Sequence, residues 1–190
     1  MIVIITGTPG VGKTKVSQIL SKRLSAVHLD LNKIAKEEQL TLGIDKERKS
    51  LIADLNRLSE RVQDLIKKSS RDIIIEGHYA SDVVPQNLAS YVFVLRKDPD
   101  ALVTSLKRKG FRGQKISENV AAEILGVCLS DAVDAYGLKN VCEIDTTRKR
   151  VGRIIEEMML VLAAKEKPSI GKVDWLSKLE QEGRLEKFME

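Results

Sequence analysis

Five short apolar runs punctuate the chain: Ile2 to Ile5, Ala26 to Leu29, Ile73 to Ile75, Tyr91 to Leu95 and Val141 to Ile144. Each is too short for a helix and lacks polar alternation, which is the pattern of strands buried on both faces of a parallel sheet. Between the runs the apolar positions recur at three and four residues. Lys13 to Leu24, for example, places Val16, Ile19, Leu20 and Leu24 on one helical face. The same periodicity predicts helices over Asp30–Glu38, Asp45–Lys68, Pro99–Lys107, Ser117–Tyr136 and Arg150–Ala164. Strands alternating with helices in this way predict an α/β protein, an open five-stranded parallel sheet with helices on both faces. Ligands then belong at the carboxyl ends of the strands. Pro168, Ser169 and Gly171 mark a linker, so residues 1–164 are expected to form the core and 165–190 a linker with a helical tail. Trp175, Leu179, Leu185 and Phe188 give that tail an apolar stripe. It either folds back and buries Trp175, or docks on a partner.

Chemistry enters where the first strand ends. Gly7-Thr8-Pro9-Gly10-Val11-Gly12-Lys13-Thr14 fits the pattern of a phosphate-binding loop, and it lies in the required strand-to-helix context. Glycines at 7, 10 and 12 allow torsions closed to other residues, so that successive N–H groups, Val11 included, curl round phosphate oxygens. The following helix directs its positive end at the same anion. Lys13 can reach the β- and γ-phosphates, and the Thr14 hydroxyl can ligate the Mg2+ that accompanies ATP. Two insertions carry specificity. Residues 30–54 supply more chain than a crossover needs, a place for a phosphate acceptor. Arg108-Lys109-Gly110-Phe111-Arg112-Gly113-Gln114-Lys115 interleaves four cations with two glycines, either a solvated basic loop or, beside a phosphate loop, a short mobile lid over about 108–118.

Glu76 and His78 follow the third strand, where P-loop enzymes carry a second acidic motif. Glu76 can hold a magnesium-bound water there. His78 either positions the attacking water or acceptor, or is a loop histidine bonded to backbone; His28 has no such context. With 190 residues the chain is expected to form one domain. Neither a secretory signal nor a spanning run is recognisable, which predicts a cytoplasmic protein without membrane partners. Cys128 and Cys142 lack metal-ligand spacing and are expected as buried thiols. A net charge of +5 suits anionic partners such as nucleotides or a ribonucleoprotein.

These residues together resemble the adenylate kinase isoenzyme 6 subfamily, small nucleoside monophosphate kinases and ATPases linked to late maturation of the small ribosomal subunit. The resemblance is carried by GTPGVGKT at 7–14, AKEEQL at 35–40, the pair Asp54 and Arg57, and IEGH at 75–78. FVLRKDP at 93–99, Lys109-Gly110-Phe111 and the helix from Ser117 to Tyr136 extend it over residues 1 to about 164, and an archaeal member is favoured. It implies a P-loop nucleoside monophosphate kinase fold and Mg2+ with ATP as co-substrate. The phosphate loop extends through the backbone of Lys15, and Asp30, Lys36 and Arg57 serve a monophosphate acceptor, AMP favoured. Glu76, His78, Arg108 and Lys109 act in catalysis, with Lys109 also on the nucleotide. The chain departs from the subfamily in having Lys36 and Lys109 where arginine is usual and Glu76 where aspartate is usual. Arg57 either meets the monophosphate or braces Asp54.

The resemblance further implies ribosome biogenesis: a small-subunit ribosomal protein and the preribosomal particle as partners, direct RNA contact, and 16S-type rRNA maturation. Two alternatives stand beside a kinase with ATPase activity. One is chiefly an ATPase switch or chaperone for the ribosomal protein. The other is a small-metabolite kinase of the shikimate or dephospho-coenzyme A type, for which no acceptor motif is visible.

Overall fold

A computed structural model describes residues 1–45 and 50–189. The strands form where the apolar runs predict them: β1 (Ile2–Thr6), β2 (Val27–Asp30), β5 (Ile73–Glu76), β6 (Tyr91–Arg96) and β7 (Val141–Asp145). They make one sheet in the order β2-β5-β1-β6-β7, every pairing parallel. One face of the sheet packs against α1 (Lys13–Leu24), α5 (Pro99–Arg108), α6 (Gln114–Ile124) and α8 (Val151–Leu162), through Val16, Leu20, Leu102, Leu106 and Met158. The other packs against α2 (Leu31–Glu37), α3 (Leu55–Lys68), α4 (Ala80–Val83) and α7 (Val127–Tyr136), through Leu31, Leu58, Val62 and Tyr136. The carboxyl ends of β1, β2 and β5 converge on one rim, and Asp30 and Glu76, paired in register, share one face of the sheet there.

The predicted helix over Asp45–Lys68 is corrected. Only α3 forms, and ahead of it lies an antiparallel hairpin of β3 (Thr41–Asp45) and β4 (Ser50–Ala53); residues 46–49 lie outside the described residues. Gly43 at φ 142° adopts a conformation closed to helices. Asp54 sets the start of α3, because its carboxylate accepts the Arg57 N–H at 3.1 Å.

The predicted helix Ser117–Tyr136 is also two helices. Gly126, at φ 68°, interrupts it, and Arg96 Nη2 donates to the Glu123 carbonyl at 2.7 Å, an acceptor that a continuous helix would keep for itself.

The tail folds back. α9 (Trp175–Gln181) and α10 (Glu186–Met189) follow the linker, and Trp175, Leu179 and Phe188 join the core on the α6 side. Ser169 O accepts the Glu143 N–H at 2.9 Å along the open side of β7, an edge strand that is thereby covered. Among the described residues no helix is long and apolar enough to cross a membrane.

Candidate active site

The turn from β1 into α1 is packed tightly onto β6 and α5, which leaves no room for side chains at Gly7 and Gly10. Gly7 has φ 132°, and a Cβ there would stand 2.4 Å from the Leu95 carbonyl oxygen; one on Gly10 would stand 2.9 Å from Leu102 Cδ1. Gly12 caps α1 at φ 112° without a side-chain acceptor, and the first turn holds no acidic residue. The helix thus presents unpaired N–H groups and the positive end of its dipole to whatever enters. The loop is held from below by three bonds. Thr8 Oγ1 donates to Glu123 Oε2 at 2.7 Å, Lys97 Nζ to Gly10 O at 3.3 Å, and Thr146 Oγ1 to Val11 O at 3.1 Å.

Lys13 lies within this loop, its Nζ donating to Gly7 O at 2.5 Å and Thr8 O at 3.2 Å. Enclosure away from bulk water pulls its pKa down to about 8, while the Glu76 and Glu123 carboxylates push the other way. The ammonium is therefore charged at neutral pH and incompletely solvated. Such a charge gains when an anion replaces the carbonyls.

Facing the loop across a cleft of about 710 Å3 are residues from the ends of β2 and β5. Asp30, Lys36, Glu76 and His78 line this cleft together with Gly10, Lys13, Thr14 and Lys109. Glu76 is buried, and His28 Nε2 lies 3.1 Å from its Oε1. His78 opens onto the cleft. The surrounding walls and the Lys13 charge pull its pKa down to about 4, so the ring is neutral at pH 7. Tyr79 packs edge-on to His78 at 4.4 Å and donates its hydroxyl to Asn32 Oδ1 at 2.8 Å. Burial, then the Asp30 charge, lifts the Tyr79 phenol to about 12, so it stays a donor.

Other predicted positions fall elsewhere. Gly7, Val11, Gly12 and Lys15 shape or follow the loop but are not part of the cleft lining. Arg57 is exposed outside the lining, and its link to Asp54 runs through the backbone N–H rather than the guanidinium. Of the lid cations, Lys109 and Lys115 reach the lining, whereas Arg108 and Arg112 do not. Lys115 stacks over Phe111, its Nζ 4.9 Å from the ring centroid.

Sequence reasoning passed over His28, Asn32, Tyr79, Lys97 and Glu123. Lys97 had a signal, since it follows a buried strand end level with the loop, and Asn32 and Tyr79 stand beside the predicted Asp30 and His78; His28 and Glu123 meet the site only through long-range packing.

A parallel sheet of this order, with a glycine-rich loop feeding a helix at its centre, defines the P-loop kinase fold. Solved structures agree. Shikimate kinase from Acinetobacter baumannii aligns with a TM-score of 0.63 over 87% of this chain and 94% of its own, at 13% identity. Shikimate kinase from Bacteroides thetaiotaomicron aligns with 0.60 over 86% and 98%, at 17% identity. At these identities the likeness is one of fold.

Sequence places the chain more closely. The family described as AAA domain matches residues 3–126. A protein of Saccharolobus solfataricus named "Putative adenylate kinase" is 37% identical over 190 residues, 100% of this chain and 93% of its own. One of the same name from Methanocaldococcus jannaschii is 35% identical over 178 residues, 94% of each. The chain belongs to this family of P-loop proteins. Its similarity to the Saccharolobus relative runs through the tail, beyond the 164 residues on which the sequence resemblance rests.

Proposed function

We propose that the protein is an ATP-dependent nucleoside monophosphate kinase of the adenylate kinase isoenzyme 6 subfamily, with AMP as the favoured acceptor. The observation that carries this reading is the continuity of the cleft. One cavity runs from Gly10, Lys13 and Thr14 past Glu76 and His78 to Asp30, Lys36 and the hairpin residues Thr41, Leu51 and Ala53. Relatives with the adenylate kinase name support it.

In this reading the α1 N-terminus and loop N–H groups bind the ATP phosphates, and Lys13 exchanges Gly7 O and Thr8 O for phosphate oxygens. Magnesium enters with ATP as part of the substrate. The oxygen donors present, the Thr14 hydroxyl with the Glu76 and Asp30 carboxylates, suit a small hard cation that keeps several waters. Lys36 and the Asn32–Tyr79 pair lie on the acceptor side. An acceptor phosphate oxygen attacks the γ-phosphorus, the bond to the β-bridging oxygen breaks, and ADP leaves with its electron pair. A monophosphate already ionised at pH 7 needs no base for this step. Lys109 and Lys115 neutralise the transferring group from the lid side.

His78 is assigned to positioning. With a pKa of about 4 it accepts a hydrogen bond well but removes a proton poorly. When no acceptor is bound, it holds a water, and slow ATP hydrolysis follows. The subfamily resemblance extends the proposal to cytoplasmic late small-subunit assembly and 16S-type rRNA maturation, with a small-subunit ribosomal protein, the preribosomal particle and RNA as contacts. A second reading, an ATPase switch with little kinase role, is favoured by Lys36 and Lys109, which cannot grip a phosphate through two parallel N–H bonds as arginine does.

ATP turnover with and without each nucleoside monophosphate separates the two, with inorganic phosphate and nucleoside diphosphate followed independently. Acceptor-dependent diphosphate formation, fastest with AMP, is expected. Phosphate release indifferent to every acceptor would replace the kinase by the switch.

A further inference from the structure

Beneath the phosphate loop lies a buried group of charges that the reaction does not use. Arg96, Glu123 and Glu143 are each 3% exposed or less. Arg96 Nε donates to Glu123 Oε1 at 2.8 Å and Nη1 to Glu143 Oε1 at 2.7 Å. Two carboxylates thus face one guanidinium. The uncompensated charge is met by neutral donors, since a buried carboxylate short of partners is costly.

The donors come from distant parts of the chain. Glu123 accepts Thr8 Oγ1 at 2.7 Å, the Lys97 N–H at 3.0 Å and Trp175 Nε1 at 3.3 Å. Glu143 Oε2 accepts the Lys172 and Val173 N–H groups at 2.7 and 3.2 Å. The tail is pinned again at the start of α5, where Lys178 Nζ meets Asp98 at 2.9 Å and Arg184 and Lys187 meet Asp100. Asp98 caps α5, and Leu102 and Leu106 of that helix pack under Gly10.

Thr8 is the link to the ligand. Its hydroxyl is fixed by Glu123, and its carbonyl accepts both Lys13 Nζ at 3.2 Å and the Val11 N–H at 3.4 Å. A rotation at Thr8 therefore moves the carbonyl that holds Lys13. We propose that Glu123 is a positioning residue for the nucleotide loop, and that the segment 169–188 acts on ATP binding through it. The inference rests on the nucleotide-binding reading above. Glu123 touches no substrate; it fixes the loop in the shape that binds, so its loss is felt in affinity before turnover.

The test compares Thr8→Val, which keeps shape and removes the hydroxyl, with Thr8→Ser, which keeps the hydroxyl. Binding of a non-hydrolysable ATP analogue is measured by calorimetry, KM and kcat by turnover. Thr8→Val is expected to raise Kd and KM for ATP about tenfold, the scale of one hydrogen bond to a charged group, and to lower kcat by a smaller factor than it raises KM. Thr8→Ser restores the wild-type values. Trp175 is the only tryptophan, so its emission reports the far end of the link. Saturating analogue shifts that emission in wild type and fails to do so in Thr8→Val. Trp175→Phe, which keeps an aromatic ring in the core and loses the N–H, raises KM by about threefold, a weaker neutral-donor effect.

If Thr8→Val binds the analogue as tightly as wild type, or if Thr8→Ser loses as much as Thr8→Val, the positioning role is overturned. An unshifted Trp175 emission in wild type with bound analogue overturns the tail's part. Failure of the wild type itself to bind overturns the nucleotide reading and this inference with it.

Discussion

The two walls of the cleft are made differently. On the ATP side, the loop is fixed from below by Glu123, Lys97 and Thr146, and every one of these groups is itself held by further partners. On the side proposed for the acceptor, the β3–β4 hairpin leaves Leu42, Ile44, Leu51 and Ile52 between 45% and 71% exposed. Four large apolar side chains in water on one small hairpin mark a surface whose packing is completed by something else. One wall is pre-organised; the other, on the reading proposed above, gains its order from the acceptor it meets. Pre-organisation lowers the cost of binding a highly charged co-substrate, whereas an adaptable wall admits different acceptors.

The contrast can be broken by mutation, beginning under the fixed wall. Arg96→Ala leaves Glu123 and Glu143 buried without their cation, and is expected to cost about 3–5 kcal/mol of stability in a thermal or denaturant melt. A change under about 1 kcal/mol would show that the carboxylates take up protons or water without harm.

Lys13→Ala should cut turnover by about 10²- to 10³-fold, the scale for one electrostatic donor to a transition state, and weaken ATP binding. Circular dichroism of the variant checks that the helices persist. Near-normal turnover in a folded Lys13→Ala protein would remove the basis of the kinase reading.

The pH dependence sharpens the same wall. Lys13 releases its proton near pH 8 in the folded protein and near 10.5 when unfolded, so the unfolded chain binds more protons between those values. Its contribution makes the protein more stable as pH rises through that window. ATP reverses the sign, because phosphates favour the charged ammonium. Affinity should fall as pH rises above about 8, with proton uptake on binding, detected by calorimetry in buffers of different ionisation enthalpy. His78, at about 4 folded and 6.5 unfolded, stays neutral in the folded protein above about pH 5, but it costs stability as pH falls through that window, because the unfolded chain takes up its proton first.

The smallest effect belongs to the adaptable wall. Ile52→Ser should alter stability by about 0.5 kcal/mol or less, because the side chain is already half in water. It should raise KM for the acceptor while leaving KM for ATP unchanged. A large stability loss would mean that the hairpin is as fixed as the loop.

What could be read from the sequence follows the same division. The five strands and the phosphate loop are local: their signals lie within eight residues, in apolar runs and glycine spacing. The hairpin was masked because Leu51 and Ile52 sit beside a true amphipathic helix, and their apolar character extends its period into a region with no core to meet. The split at Gly126 was hidden because a single glycine is tolerated inside a helical pattern, and the Arg96 contact to the Glu123 carbonyl that accompanies it comes from thirty residues earlier. His28 looked idle as a lone strand histidine, yet parallel pairing of β2 with β5 puts it beside Glu76. Such partners are set by sheet register, and no local pattern encodes them.

The covered edge of β7 has a consequence for the order of synthesis. Residues 7–14 leave the ribosome long before residues 169–188, yet Glu143 pairs its N–H and its carboxylate with the later segment, and Glu123 takes an indole proton from it. A nascent chain stalled before Ser169 carries the whole nucleotide motif, but with an open sheet edge and two buried carboxylates short of donors. On the inference drawn above, the earliest functional segment to be translated is expected among the last to reach its working shape, and a truncated product is expected to carry a frayed β7 open to proteases.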